Sequence, residues 1–334
     1  MCGIVAVLRR SSDRMPPDGA HLLSELEQAV GLLGDTAASP DLLERAAAHV
    51  EGVDSLLKGS PGVRTLLGDR ALFVGVEHHV EQLQLATDRV EAALDENAAD
   101  LSTVELEDVN AALVRLKDAV WAVGHDRLRT ARAVADLCGS DLASNAIEAF
   151  TSVQVALSAL DRLEVRGRDS AGLHLFVRHH GLDLDDPAIA RLLDERRDPL
   201  FSSRAVRHAG DCLSFVYKAA AEIGELGDNT ATLRKAIRDD DLLHLAVAAD
   251  TARAVILAHT RWASVGIISE ANAHPVISVE VGRADGPYVI GALNGDVDNH
   301  AELKTAHGLK IPAQITTDAK IIPAIVSRYA ATGG

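Results

Sequence analysis

Cys2 stands directly behind Met1 and is followed by Gly3. A small second residue permits removal of the initiator methionine, which would leave Cys2 as the mature N-terminus. Such a residue carries a nucleophile and a base on one skeleton, because a thiol titrates at about 8.5 and a free α-amine at roughly 7.7–8.0. Read alone, Cys2 fits better as a small apolar residue opening a strand, since buried thiols usually only pack. Further along, polar groups gather next to apolar runs. Arg166-Gly167-Arg168-Asp169-Ser170-Ala171-Gly172 precedes one such run, and His259-Thr260-Arg261-Trp262-Ala263-Ser264 follows another. Asn272-Ala273-His274-Pro275, Leu293-Asn294-Gly295 and Thr317-Asp318 come after them. Singly, each has a plain reading: Arg261 as an ion-pair partner, Asp318 as a helix cap. Gly167 to Gly172 superficially resembles a serine-protease nucleophile loop but has no triad context. No glycine-rich phosphate loop is present.

The elements that must position these residues are of two kinds. Gly3 to Leu8 is apolar throughout and predicts a short buried strand. Leu106, Val109, Leu113, Leu116, Val120 and Val123 recur every three or four residues, the stripe of an amphipathic helix. Ser39-Pro40-Asp41 ahead of Leu42, Leu43, Ala46, Ala47 and Val50 supplies an N-cap and a first-turn proline. Leu22, Leu23, Leu26, Val30 and Leu33 predict a third helix, and Asn145 with Glu148 reads as a capping box opening a fourth. Residues 11–158 are therefore expected to be a mostly helical insertion, a self-packed antiparallel bundle with a hairpin-like interruption at Gly59-Ser60-Pro61-Gly62. Beyond Asp161 the runs Leu173–Val177, Ala254–Ala258, Val276–Val281 and Tyr288–Leu293 read as strands. A charged helical stretch is expected from Pro187 to about Asp250, and Thr317-Asp318 opens the last helix.

A chain of 334 residues suggests about two folding units. Its 47% apolar and 25% charged residues are an ordinary globular balance. With 33 basic against 49 acidic residues the net charge is −16, which argues against a sequence-independent grip on nucleic-acid phosphates and against a basic membrane patch. The best candidate span, Leu242 to Ala258, is broken by His244, Asp250 and Arg253. Cys2, Cys138 and Cys212 are too few for a disulfide framework or a thiolate zinc site. The expectation is a cytoplasmic protein without nucleic-acid or membrane partner, cofactor or metal.

Taken in order, M-C-G-I-V, R-G-x-D-S-A-G, H-T-R-W-A, N-A-H-P, N-G and T-D resemble the class II glutamine amidotransferases, which use an N-terminal nucleophile. Within that class they are most similar to the glutaminase domain of glutamine–fructose-6-phosphate aminotransferases, the glucosamine-6-phosphate synthases. The resemblance covers Met1 to Leu8 and about Ala159 to Gly334. It implies an α+β fold, the αββα sandwich of N-terminal-nucleophile hydrolases, built from 2–10 and 159–334 and interrupted by the helical insertion 11–158. It also implies roles. Cys2 would attack the side-chain amide of glutamine, with Asn294 and Gly295 as oxyanion donors. Arg261 would clamp the substrate carboxylate and Asp318 its ammonium. Trp262 and Ser264 lie on the segment that closes over glutamine in the family. Two positions depart from the family pattern: Val265 replaces a histidine in that segment, and Leu293 replaces one before Asn-Gly.

The resemblance further implies a partner, a sugar-phosphate isomerase-type synthase domain or subunit that accepts the ammonia and is absent from these residues. The family's glutaminase domain continues beyond the Thr-Asp motif, so a C-terminally truncated domain is expected, with homo-oligomer formation a further expectation. Alternative readings are a glutaminase subunit serving another acceptor, or a non-catalytic interaction protein on the same fold. The H-T-R-W motif disfavours other acceptor subfamilies, whose corresponding motifs differ.

Overall fold

The computed structural model describes residues 2–10, 12–34, 39–97, 103–139, 143–220, 225–283 and 286–333. Met1, whose removal the sequence predicts, lies outside them. The chain forms two compact units, Met1–Arg10 with Leu137–Gly334, and Ser11–Asp136.

In the second unit the helices are α1 (Gly19–Leu32), α2 (Pro40–Leu57), α3 (Gly59–Gly68), α4 (Arg70–Asn97) and α5 (Thr103–Trp121). A π-helical turn, Ala122–Leu128, leads into α6 (Arg129–Cys138). Helix starts follow capping chemistry: Asp18 accepts from the Ala20 N–H, and Ser39 from Leu42 N–H with Pro40 in the first turn. The apolar stripes bury Leu22 and Leu26 of α1, Leu43, Val50 and Val53 of α2, and Leu113, Leu116 and Val120 of α5. The expected interruption at Gly59–Gly62 is instead the first turn of α3. Pro61 sits where a helix has no use for its N–H, so the residue types that suggested a turn are compatible with a helix start.

In the first unit the strands are β1 (Gly3–Leu8), β2 (Ser170–Arg178), β3 (Val206–Ala209), β4 (Cys212–Ala219) and β5 (Arg253–Arg261). They form an antiparallel sheet in the order β1-β5-β2-β4-β3, with Gly3 opposite Thr260 and Gly172 between His259 and Lys218. Helices α7 (Ser144–Leu163), α8 (Pro187–Glu195), α9 (Asp228–Arg238) and α10 (Asp241–Ala248) accompany it, followed by α11 (His300–Ala306) and α12 (Ile321–Ala331). α7 packs on β1 and β5, and α9 on β2 and β4. Strand alternation gives that layer Leu173, Leu175, Val177, Phe215 and Tyr217, all fully buried. Toward the other face Phe201, Val216 and Ile277 form a small core with Val279, Tyr288 and Ile290 packed against it. Here β6 (Val276–Ile277) pairs with β7 (Ile290–Gly291) as a short antiparallel ribbon. The fold class is α+β.

Several expectations are corrected. The helical stretch expected over 187–250 contains β3 and β4, because β4 is covered on both faces and shows no polar alternation for the sequence to reveal. The strands expected over 276–281 and 288–293 shorten to two residues each. Asn145 is no cap: its side-chain amide donates to the Ala249 carbonyl and Asp250 Oδ1, both at 3.2 Å, and Ala143 precedes the helix. The expected exit from the helical module near Ser158 falls inside α7, which packs on the sheet, so the compact units part at Asp136. Among the described residues no helix is long and apolar enough to cross a membrane.

Candidate active site

β1 lies at the sheet edge, and its pairing with β5 carries the chain back to Cys2 beside the end of β5. The Cys2 sulfur lies 3.4 Å from the Trp262 N–H and 3.7 Å from the Trp262 carbonyl. The Cys2 backbone N–H donates to Asn294 Oδ1 at 3.3 Å. Asn294 and Gly295 follow β7, and Gly295 takes a φ of +156°, a conformation glycine adopts most freely. The thiol, the side-chain amide and this turn thus meet in three dimensions, although they lie far apart in sequence.

Arg261 ends β5 and is only 3% exposed. Its guanidinium donates to the Ile267 carbonyl at 3.3 Å and to the Val265 carbonyl, so it already braces the segment that follows it. Burial lowers its pKa, opposed by the acidic groups it faces, Cys2, Asp318 and Asp169. Asp318 is buried, and its Oδ2 accepts from the Val297 N–H at 2.6 Å. Ser264 donates to Asp296, which ties the 262–268 segment to the Asn294–Gly295 turn. Trp262 is 56% exposed. The structure therefore brings Cys2, Asn294, Gly295, Arg261, Ser264 and Asp318 into one neighbourhood and leaves the Trp262 ring facing outward.

Sequence reasoning missed three residues that hold this arrangement. Asp169 accepts from the Ala263 N–H at 2.6 Å, while its own N–H donates to the Arg261 carbonyl at 3.2 Å. Asp296 receives Ser264. Asn272, fully buried, accepts from the N–H groups of Thr316 and Thr317 at 2.7 and 2.8 Å. It also donates to the Gln314 carbonyl at 3.0 Å and to Ser269 Oγ at 2.9 Å. Asn272 therefore locks the 269–275 segment to the approach of Asp318. The quoted motifs contain Asp169 and Asn272, but type and spacing alone do not disclose a buried acceptor hub.

Behind the site, His259 Nε2 lies 3.0 Å from the Leu293 carbonyl and His274 Nε2 lies 3.0 Å from Thr317 Oγ1, with the two rings 4.6 Å apart. Burial lowers the His259 pKa to about 4. Burial, then His259, Arg261 and Lys218, hold His274 well below the usual imidazole value. Gly172, paired with His259 in the sheet, is pressed by the backbone of His274: a Cβ added there would sit 2.2 Å from the His274 carbonyl oxygen. Among the described residues no three His, Cys, Asp or Glu side chains group as metal ligands.

With this geometry in view, comparison with known proteins shows a resemblance to enzymes named as glutamine-dependent aminotransferases. The similarity is to glutamine–fructose-6-phosphate aminotransferase [isomerizing], 28% identical over 180 residues in Shouchella clausii (strain KSM-K16) and 27% over 184 residues in Lactiplantibacillus plantarum (strain ATCC BAA-793 / NCIMB 8826 / WCFS1). The matches cover 54% and 55% of this chain and 21% of each relative. The chain thus spans about a fifth of the length of the curated relatives it matches. No protein-family model matches the chain, and no solved structure is significantly similar to it.

Proposed function

We propose that this chain hydrolyses glutamine through a γ-glutamyl thioester on Cys2 and supplies the ammonia for amino-sugar synthesis. In this reading Met1 is removed and the freed α-amine of Cys2 takes the thiol proton. The sulfur attacks the side-chain amide carbon of glutamine, and the carbonyl electron pair moves onto oxygen. The Asn294 side-chain amide and the Gly295 N–H hold that oxyanion, each donor contributing about 2.7–4 kcal/mol by the usual loss on removal. Collapse expels ammonia, protonated by the α-amine, and leaves the thioester. Water then adds to the thioester carbonyl, releasing glutamate and regenerating the thiol.

Arg261 clamps the α-carboxylate with the guanidinium donors that Val265 and Ile267 leave open, and Asp318 pairs with the α-ammonium. Trp262 and Ser264 close over the bound glutamine. The five-stranded sheet with α7 and α9 is one half of an N-terminal-nucleophile sandwich, and the β6–β7 ribbon belongs to the facing half. The helical unit is an insertion, and a sugar-phosphate isomerase-type domain or subunit receives the ammonia.

The observation that carries this reading is the contact of Cys2 with Asn294 and Trp262, in a chain similar to enzymes named for glutamine-dependent amino transfer. Peptide mapping after reaction with a glutamine-like diazoketone tests it. The expected result is loss of Met1 and one covalent adduct at Cys2. Adducts at Cys138 or Cys212 with Met1 retained overturn it.

A further inference from the structure

We propose that the cavity between α8 and the β3 edge binds a small organic anion with an apolar body, held by Arg207. The cavity has a volume of about 690 Å³, within the roughly 300–1,000 Å³ of small-molecule sites. Leu184, Leu193, Phe201 and Val279 supply apolar walls. No residue of α8 is fully buried, although Leu193 lines the cavity, so this wall has apolar surface left to cover.

The charges along the lining decide the sign of the ligand. Asp194 is paired with Arg197 at 3.1 Å. Asp198 is occupied by the N–H groups of Leu200 and Ser202, both at 2.8 Å. Arg207 differs: its guanidinium carbon stands 5.0 Å from the centre of the Tyr288 ring, and among the described residues it meets no carboxylate. Stacking uses the face of a guanidinium and leaves the donors along its edge open, a fork that fits a carboxylate or a phosphate. Among the described residues, the acidic groups of the cavity are engaged while the Arg207 donors are free.

The backbone flanking the cavity is fixed in advance. Arg196 makes a two-point pair with buried Asp240, both bonds 2.6 Å. The Arg204 N–H donates to the Val216 carbonyl at 2.6 Å, and the Ser203 N–H to Glu270 at 2.8 Å. Phe201 and Arg204 are held at φ of +50° and +67°, which side-chain-bearing residues rarely adopt. Such backbone clusters at ligand sites, and a prefixed wall lowers the ordering cost of binding. None of these residues belongs to the cluster around Cys2, so the proposal does not depend on the chemistry assigned to that thiol.

Calorimetric titration of the full chain with phenyl phosphate, benzoate and neutral benzyl alcohol tests it. At least one anion is expected to bind saturably at one site, with benzyl alcohol silent over the same range. Which anion binds distinguishes a phosphate from a carboxylate ligand. Arg207→Gln should weaken binding about tenfold or more, and Arg207→Lys less. Leu193→Trp, filling the cavity from a half-exposed helix position, should block binding and serves as the second variant if Arg207→Gln does not fold. The proposal fails if neither anion binds, if benzyl alcohol binds equally well, or if a folded Arg207→Gln or Leu193→Trp chain binds as the parent does.

Discussion

At the scale of single residues, the site divides into groups for which a chemical role is proposed and groups whose hydrogen bonds hold them in place. Arg261→Lys keeps a charge but loses the planar fork that reaches Val265 and Ile267. If Arg261 clamps glutamine, its KM should rise tenfold or more by about the value of a charged hydrogen bond, with the melting temperature shifted far less. Steady-state kinetics beside thermal melts of the same preparations read both. The buried histidines make a separate prediction. His259 titrates near 4 in the folded chain and near 6.5 when unfolded, so below pH 6.5 the unfolded state binds protons that the folded state refuses. Stability is therefore complete above pH 6.5 and falls as pH drops toward 4, by about 3 kcal/mol for this group. His274 and fully buried His174, both held low by burial, act in the same direction. Urea midpoints across pH 4 to 7 should show the fall, and His259→Gln should flatten it. The motif resemblance singled out Cys2, Arg261, Asn294 and Asp318 in the sequence, and the structure places them in one neighbourhood. Asp169, Asn272 and Asp296 were not singled out, because an acceptor that only receives backbone or hydroxyl protons has no signature of type or spacing.

At the scale of elements, what could be read depended on whether an element shows two different faces. α1, α2 and α5 show a wet side and a dry side, so their periods were visible. β4 shows none: Leu213, Phe215 and Tyr217 on one face and Ser214, Val216 and Lys218 on the other are all buried. Burial and nearby Lys320 lower the pKa of Lys218 to about 7. The segments around the site are irregular backbone, and side-chain acceptors do for them what a ladder does for a strand. Asn272→Ala removes the acceptor for the Thr316 and Thr317 N–H groups, and leaving the buried Thr317 N–H unpaired should cost about 1–3 kcal/mol. Asn272→Asp keeps an acceptor oxygen for these N–H groups, loses the donors to Gln314 and Ser269 and adds a buried charge. It should therefore recover part of that loss in urea denaturation, and a variant no better than alanine would contradict the hub role.

At the scale of the whole molecule, the sheet unit gathers its core from residues on both sides of the helical unit in sequence. Replacing residues 12–136 with a short Gly/Ser linker should leave a folded sheet unit with Cys2 still reactive, because α7 stays with the sheet it packs on. Circular dichroism and the Cys2 labelling assay together check this; a folded deletion protein with an inert Cys2 would mean the helical unit completes the site. The sequence showed that the chain alternates between two architectures but misplaced the seam, since α7 is as helical as its predecessors and only its packing partner differs. One further consequence belongs to Gly172. At that point the sheet carrying Cys2 and the segment leading through His274 and Thr317 to Asp318 touch backbone to backbone. The spacing between the sheet that carries Cys2 and the segment that carries Asp318 is thus gauged by a missing side chain, as a machinist sets a clearance with a shim of zero thickness. A single methyl group there throws the instrument out of calibration while leaving Cys2 and Asp318 themselves chemically unchanged.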